Sequence, residues 1–264
     1  MAELDPIEDL ATEAEEIDEL VAGLTPEQWA LETPAPTWTI AHQVAHLAGM
    51  FQLSGLSAAE PVTFTELMNS LGADFDANVH NSLAEFLNDP PEVLTTRWHF
   101  ERDAAIKQLS VLPLDHLIPW LVRPIPVAVM IKVGMMELFA HAQDIADTLG
   151  TRRVHTNRIW HVAEVAVHAW TFGYLARGMV PPAGGFRFEL IGPSGHPRTL
   201  GSPDAEQEIA GTAVDFCLLA TRRRHRDDLD LTAVGPDANA WLDIAQAYRG
   251  PAGPGRKPGQ FPKG

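Results

Sequence analysis

Two histidines and one glutamate are the residues of this chain whose types and spacing best suit chemistry. Glu137 and His141 stand four positions apart in MMELFAHAQDIADTLG, so a helix through this segment places both side chains on one face. His46 lies much earlier, in TWTIAHQVAHLAGM, again on a predicted helix. Two imidazoles and one carboxylate that meet inside a helical bundle bind a divalent metal and leave positions open for water or substrate. The pattern therefore predicts a metal site.

Neighbouring polar residues on the same two helices would complete such a site. Its nitrogen and oxygen donors suit zinc best, with nickel, iron and manganese as alternatives. His42, one turn before His46, is predicted to move a proton, and Asp144, one turn beyond His141, to accept a hydrogen bond from that imidazole. In the competing interpretation, the Glu/His pair lies on a solvated helix face and His46 is a hydrogen-bonded core residue. The chain has 11 histidines, so chance pairings are expected.

The composition narrows the classes of partner. The formal net charge is −16, and an acidic chain is a poor binder of nucleic acid, because phosphate contacts need a basic surface. The basic run RRRHR at 222–226 is short, and we interpret it as a solvated helix end. A small-molecule substrate is the partner that remains.

Cysteine content and hydropathy indicate the compartment. Cys217 is the one cysteine, so an intramolecular disulfide is impossible, which suits a reducing cytosol. The acidic N-terminus has the character of neither a signal nor a transit peptide. No apolar stretch is long enough to span a bilayer. We therefore expect a cytoplasmic protein without membrane attachment, and its oligomeric state, a homodimer included, stays open.

The first half of the chain carries helical periodicity throughout. Thr25-Pro26-Glu27-Gln28 predicts a capping box, and Gly150 is a suitable residue to end the helix that carries Glu137. The segment 113–127, PLDHLIPWLVRPIPV, contains four prolines and cannot be one helix; it either walls a pocket or connects two helices. The apolar repeats predict helices over 6–24, 39–57, 65–87, 89–109 and 127–149.

The second half mixes helices with strands. FRFELIGP alternates as a strand and is predicted to pair with RTLGSP across the turn PSGH. Helices are predicted over 157–177 and 203–223 and from 236 onward, with a further strand over 229–235. The predicted divisions are a metal-binding four-helix bundle (1–150), a connecting helix and linker (151–182), a small α+β domain (183–250) and a flexible tail (251–264).

Both helix motifs resemble those of a known superfamily. TWTIAHQVAHLAG resembles the W-T-x-x-x-x-x-x-H-L segment of DinB-like proteins, and MMELFAHAQDIADTLG resembles their E-x-x-x-H-x-x-D segment. Together they resemble the subgroup of mycothiol-dependent maleylpyruvate isomerase, and the C-terminal part resembles an actinobacterial family of metal-binding proteins related to that isomerase. The resemblance covers about residues 5–250.

This resemblance implies a fold, a ligand set and a cofactor. The implied fold is mainly α, with a DinB-like four-helix bundle followed by a small sterol-carrier-like α+β domain. His46, Glu137 and His141 match the family's three metal ligands. An arginine of the C-terminal domain faces the family's active site, and Arg223 is the matching candidate within Arg222–Arg224. A low-molecular-weight thiol is the implied cofactor.

One segment departs from the family pattern. Where related sequences place small and polar residues, this chain reads PWLVRPIPVAVMIKVGMM, which is bulky and apolar. We therefore predict a larger, largely apolar metabolite in a pocket formed by Trp120, Pro124 and Met130. Isomerisation, cyclisation or a related rearrangement suits a metal Lewis acid, and thiol transfer is the alternative.

Two non-catalytic functions also fit the sequence. A sterol-carrier-like domain can hold an apolar ligand while the bundle serves as a scaffold without metal. Alternatively, the acidic bundle docks a partner and any metal only braces its helices. A closed site with four protein ligands would favour the structural role, because catalysis needs an open coordination position.

Overall fold

The structure, a computed structural model, describes residues 5–72 and 74–261. The chain divides into two compact units, Met1–Arg152 and Arg153–Gly264. Three parts of the predicted segments lie outside the described residues: 1–4 of the first domain, 73 of the predicted helix 65–87, and 262–264 of the tail. The protein is mainly α, with a smaller β part in the second unit.

The first unit is built almost entirely of helices. Its helices are α1 (Pro6–Val21), α2 (Pro26–Trp29), α3 (Ile40–Ala59), α4 (Pro61–Ser70), α5 (Phe75–Leu87), α6 (Pro91–Ser110) and α7 (Val127–Leu149). The long helix α3 packs against α6 and α7, and α1 packs against α7 and α6. Their shared core is apolar and includes Ile17, Val44, Trp98 and Ile131, each with its side chain buried.

Local signals set the ends of these helices. The predicted capping box is confirmed, since Thr25 accepts from the backbone of Gln28 and the Gln28 side chain accepts from the backbone of Thr25. Helix α7 ends at Gly150, whose φ of +66° lies in the left-handed region that glycine adopts without strain.

The predicted single helix over 65–87 is wrong, because two helices occupy this segment. Helix α4 ends at Ser70 and α5 begins at Phe75. Asp74 accepts a hydrogen bond from the backbone of Ala77, so it caps a new helix rather than continuing the first. The periodicity of apolar residues continues across the segment, so by itself it could not reveal the break between α4 and α5.

The proline-rich segment forms a short hairpin before α7. Strands β1 (Leu117–Ile118) and β2 (Ile125–Pro126) pair antiparallel, with Ile118 opposite Ile125. The backbone N–H of Val127 donates to the carbonyl oxygen of His116, which attaches the start of α7 to this hairpin. The prediction that 113–127 is not one helix is confirmed.

The second unit contains a four-stranded sheet and short helices. Its elements are α8 (Ile159–His168), α9 (Phe172–Leu175), β3 (Arg187–Ile191), β4 (Pro197–Gly201), β5 (Glu208–Thr212), α10 (Ala213–Ala220), β6 (Thr232–Val234) and α11 (Pro236–Ile244). The strand order is β4-β3-β5-β6. The predicted hairpin is confirmed, with Phe188 opposite Leu200, whereas β5 runs parallel to β3.

Two helix predictions in this unit are wrong. The predicted helix over 203–223 is wrong, because 208–212 is strand β5 and only Ala213–Ala220 is helical, as α10. Thr212 caps α10 by accepting a hydrogen bond from the backbone N–H of Asp215. Strand β5 exists because it pairs with the distant β3, and local periodicity cannot reveal that pairing. Helix 157–177 is interrupted between α8 and α9.

Six aromatic side chains fill the core of the second unit. They form a connected set whose neighbouring ring centroids lie between 4.8 and 6.2 Å apart, mostly edge to face. The set consists of Trp170, Tyr174, Phe186, Phe188, Phe216 and Trp241.

Among the residues that the structure describes, no helix is both long enough and apolar enough to cross a bilayer.

Candidate metal centre

The three predicted ligands meet where α3 faces α7. Helix α3 carries His46, and α7 carries Glu137 and His141 one turn apart. One ligand atom from each of the three residues lies within 4.8 Å of the others. The Glu137 Oε2 atom is 3.2 Å from Nε2 of His141 and 3.5 Å from Nε2 of His46.

This spacing fits a bound metal. Ligands about 2.1 Å from a tetrahedral metal lie about 3.4 Å from one another, which is close to the two measured separations. Neutral imidazole nitrogens and a carboxylate are donors that zinc and similar divalent metals accept. Three protein ligands leave at least one coordination position for another group.

Glu137 carries its charge despite its burial. Desolvation by itself would raise the pKa of Glu137, but hydrogen bonds to His141 and His46 and their charges outweigh it and lower the pKa well below its usual range. These contributions come from imidazoles that carry a proton toward the carboxylate. A bound metal, which needs neutral imidazoles, would replace those protons as the positive partner of Glu137.

A buried glutamine holds the other nitrogen of His141. The Oε1 atom of Gln43 forms a hydrogen bond with Nδ1 of His141, while Nε2 of Gln43 donates to Oγ1 of Thr33 over 2.8 Å. The Thr33 hydroxyl in turn donates to the carbonyl oxygen of Trp38, also over 2.8 Å. Gln43 and Thr33 are not among the site residues predicted from the sequence. The signal that could have found Gln43 is its position three residues before His46, which places both side chains on the same side of the helix.

The indole of Trp38 covers one side of the cluster. Its ring is stacked on His141, with centroids 5.9 Å apart, and lies 5.2 Å from the ring of His46. The loop before α3 fixes it through backbone bonds, since Thr33 N–H donates to the Trp38 carbonyl and Ile40 N–H to that of Leu31.

His42 lies at the N-terminus of α3, one turn before His46. Its Nδ1 accepts from the backbone N–H of Thr39 over 3.2 Å and lies 2.7 Å from the Thr39 hydroxyl. Burial, followed by the charge of His80, lowers the pKa of His42. Its Nδ1 thus serves the helix cap, and the catalytic role predicted for His42 stays a prediction.

The other two predicted catalytic residues are both buried. Asp144 lies on α7 with its side chain fully enclosed. The partner identified for Nδ1 of His141 is Gln43, so the role predicted for Asp144 stays a prediction. Arg223 follows α10 in the second unit, where its guanidinium donates to the carbonyl oxygen of Thr221.

An apolar cavity lies beside Glu137 within the first unit. Its wall includes Leu10, Met50, Phe51, Ser54, Leu109, Met130, Val133, Gly134 and Glu137. Of the three predicted pocket residues, Met130 lines this cavity. Trp120 instead stacks on Phe64, with centroids 5.6 Å apart, and Pro124 is exposed in the loop of the hairpin, directly before β2.

Fold and cluster together define a mainly helical protein with a His-Glu-His cluster between two packed helices. The family described as the mycothiol maleylpyruvate isomerase N-terminal domain matches residues 10–146, more than half of the chain. This protein belongs to that family, as the resemblance of its two helix motifs predicted. All three candidate ligands fall inside the matched region.

Relatives and solved structures extend the comparison to the whole chain. Two proteins of Mycobacterium tuberculosis, from strains CDC 1551 / Oshkosh and ATCC 25618 / H37Rv, are described as uncharacterized and are each 38% identical over 250 residues. The match covers 95% of this chain and 97% of theirs. The crystal structure of the mycothiol-dependent maleylpyruvate isomerase superposes with a TM-score of 0.59 at 13% identity, covering 89% of this chain and 95% of that one. The crystal structure of a histidine-to-alanine mutant of that enzyme superposes with a TM-score of 0.56.

Proposed function

We propose that this protein is a metal-dependent enzyme that uses a low-molecular-weight thiol to isomerise a small to mid-sized, largely apolar metabolite. The observation that carries the proposal is the convergence of His46, Glu137 and His141 in a chain of the mycothiol maleylpyruvate isomerase N-terminal family. Zinc is the proposed metal, with nickel, iron or manganese as alternatives.

The proposed chemistry divides between the metal and the protein. A bound divalent metal acts as a Lewis acid and lowers the pKa of a thiol or water that it holds. Glu137 supplies the negative charge of the site, and Gln43 orients the imidazole of His141. We assign proton transfer to His42 and a supporting role to Asp144, and Arg223 stays the third proposed catalytic residue.

The proposal includes the finer architecture. The mutual packing of α1, α3, α6 and α7 supports a DinB-like four-helix bundle. The second unit would then be the sterol-carrier-like α+β domain. The four-part division at 1–150, 151–182, 183–250 and 251–264 belongs to the same proposal.

The apolar character of the substrate is proposed from the bulky, apolar segment that precedes Glu137. The cavity beside Glu137 has an apolar wall that includes Met50, Phe51 and Met130, but it holds no more than about one water molecule and would have to open to admit a substrate. Maleylpyruvate, the compound in the name of the structural neighbour, is the natural reference substrate. A more apolar metabolite should bind better than maleylpyruvate.

The first test is the metal content of protein purified without a metal-affinity tag. We expect about one equivalent of a divalent metal in the wild type and almost none in His46→Ala and His141→Ala, because each loses one of three ligands. His168→Ala, which replaces an exposed histidine of the second unit, is the matched control and should retain its metal. The proposal would be contradicted by a wild-type protein that takes up no metal, or by the same metal content in all four proteins.

The same four proteins then serve in an activity assay. Loss of maleylpyruvate is followed with and without mycothiol, and a panel of more apolar analogues is compared with it. Turnover should require both the thiol and the intact ligand set. If His141→Ala turned over substrate as fast as the wild type, the site would have no catalytic role. Turnover by the wild type without thiol would favour the alternative in which the metal acts as a Lewis acid alone.

A further inference from the structure

We infer that Gln43, supported by Thr33, is a positioning residue that keeps a proton on Nδ1 of His141 and leaves Nε2 free to bind the metal. The inference rests on the proposed metal site. It follows from a chain of hydrogen bonds that runs from a backbone carbonyl to the imidazole, in which each donor and acceptor role is fixed by the one before.

The chain begins at the carbonyl oxygen of Trp38, which can only accept. It receives the backbone N–H of Thr33 over 2.7 Å and the Thr33 hydroxyl over 2.8 Å. The hydroxyl proton of Thr33 is therefore committed to Trp38. Toward any other neighbour, the Thr33 oxygen is an acceptor.

The orientation of the Gln43 amide follows. A side-chain amide has nearly the same shape when it is turned end for end, so its partners decide which end faces where. The Thr33 oxygen lies 2.8 Å away and needs a donor, so the NH₂ group of Gln43 faces Thr33. Its carbonyl oxygen then faces His141.

The protonation of His141 follows in turn. An amide oxygen can only accept, so Nδ1 of His141 must carry a hydrogen. In a neutral imidazole the lone pair is then on Nε2, the nitrogen that lies 3.2 Å from Glu137 Oε2. This is the nitrogen that the proposed metal site needs.

Burial makes this arrangement hard to reverse. Gln43 is fully buried and Thr33 is 8% exposed, so bulk water does not replace a lost partner. Turning the amide would place NH₂ against N–H at His141 and oxygen against oxygen at Thr33. The loop that carries Thr33 and Trp38 is itself held by the bridge between Glu32 and Thr39.

The first arm of the test measures metal affinity of the full chain by competition with a chromogenic chelator, using Zn²⁺. Gln43→Leu should weaken binding roughly 10–100-fold, the usual effect of removing a partner of a metal-bound histidine. Gln52→Leu is the matched control: the same substitution on the same helix, at a glutamine that bonds Glu101 instead. It should bind as the wild type does.

The second arm reads the proton itself and needs no metal. Imidazole ¹⁵N–¹H spectra of the chelator-treated protein should show a slowly exchanging Nδ1–H of His141 in the wild type and in Gln52→Leu. Gln43→Glu retains an acceptor for His141 and should retain the signal, although it loses the donor to Thr33. Gln43→Leu should lose it. Both substitutions disturb the packing of the core, so a role in packing alone would affect the signal in both. Loss of the signal in Gln43→Leu only would show that Gln43 positions the proton.

The outcomes distinguish this inference from the proposed function. A wild type that binds no Zn²⁺ defeats the proposed function, while the Nδ1–H signal still decides the role of Gln43. Persistence of that signal in Gln43→Leu, or a wild-type His141 with its proton on Nε2 alone, overturns the inference. Should Gln43→Leu fail to fold, Thr33→Val replaces it: a smaller loss of affinity supports the relay, and wild-type affinity with an unchanged signal overturns it.

Discussion

Around Glu137, each imidazole presents Nε2 toward the carboxylate. With the proton of His141 on Nδ1, the Nε2 lone pair and the carboxylate oxygen are two acceptors only 3.2 Å apart. Two acceptors at this distance are stable when a cation, either a proton or a metal ion, lies between or beside them. An ordinary surface Glu/His pair has no buried partner that directs the proton away from the carboxylate.

Another histidine, His155, contributes to the pH dependence of stability. Burial, followed by the charges of Arg153 and Arg224, lowers the pKa of His155 to about 4. The unfolded chain takes up this proton near its ordinary pKa of about 6.5. The stabilisation that depends on a neutral His155 is therefore complete above about pH 6.5 and is lost as the pH drops toward 4, because the unfolded state binds the proton first.

We predict that His155→Gln reduces this loss. Chemical denaturation at several pH values should show the free energy of unfolding of the wild type falling by about 1–3 kcal/mol more than that of the variant between pH 7 and 4. His168→Gln, at an exposed histidine, is the control. Parallel curves for wild type and His155→Gln would show that His155 is not the group responsible.

At the scale of elements, helix α3 links the candidate site to the core. Its N-terminal half carries His42, Gln43 and His46, and its C-terminal half packs closely on α6. Gly55 allows this approach, since a Cβ atom there would lie 3.3 Å from the Cα of Ala105. The geometry of the site therefore depends on how near α3 lies to its neighbours.

Two glycines of α3 give a matched prediction. Gly55→Val should destabilise the protein by about 1–3 kcal/mol, because the backbone of α6 cannot yield easily to the added methyl groups. Gly49→Ala should instead stabilise it by about 0.5–1 kcal/mol, because its Cβ meets only Phe86 at an ordinary 3.7 Å and alanine favours the helix.

Thermal and denaturant unfolding of the two variants measures both changes. If both variants were more stable than the wild type, helix propensity rather than the approach of α3 to α6 would decide the effect. If both were less stable, the expected gain at Gly49 would be wrong.

The sheet of the second unit bears on the alternative function of binding an apolar ligand. Six aromatic rings occupy the core that such a ligand would need, with centroids as close as 4.8 Å. Their packing suits a scaffold better than a lipid-binding cavity. This favours the enzyme proposal over the binding module.

For the whole molecule, relatives and structural neighbours match both units together. The 38% identical relatives align with 95% of the chain, whereas the family match over 10–146 is confined to the unit that carries all three candidate ligands. The proposed metal should therefore stabilise the first unit directly, since it would bind the folded chain and not the unfolded one.

Removal of the metal should lower thermal stability. A metal present at a thousandfold excess over its dissociation constant contributes about 4 kcal/mol, which corresponds to a fall in Tm of roughly 10 °C on chelation. His141→Ala should show almost no such change. Scanning calorimetry with and without a chelator measures this, and an equal fall in both proteins would mean that chelation acts elsewhere.

Several features of both units could be predicted from local pattern. The capping box at Thr25, the end of α7 at Gly150 and the pairing of β3 with β4 all depend on neighbouring residues, and all three are confirmed. Strand β5 was mistaken for helix because its partner β3 is distant in sequence. The break before Asp74 was missed because an apolar period continues across it.

The sequence by itself determined that Glu137 and His141 share a helix face, because the period of a helix fixes where side chains four apart point. It also identified the family through two short motifs. Only the tertiary structure decided that His46 lies 3.5 Å from Glu137 and that Gln43 is the partner of His141. These contacts join residues about ninety or more positions apart, and the packing of α3 against α7 alone brings them together.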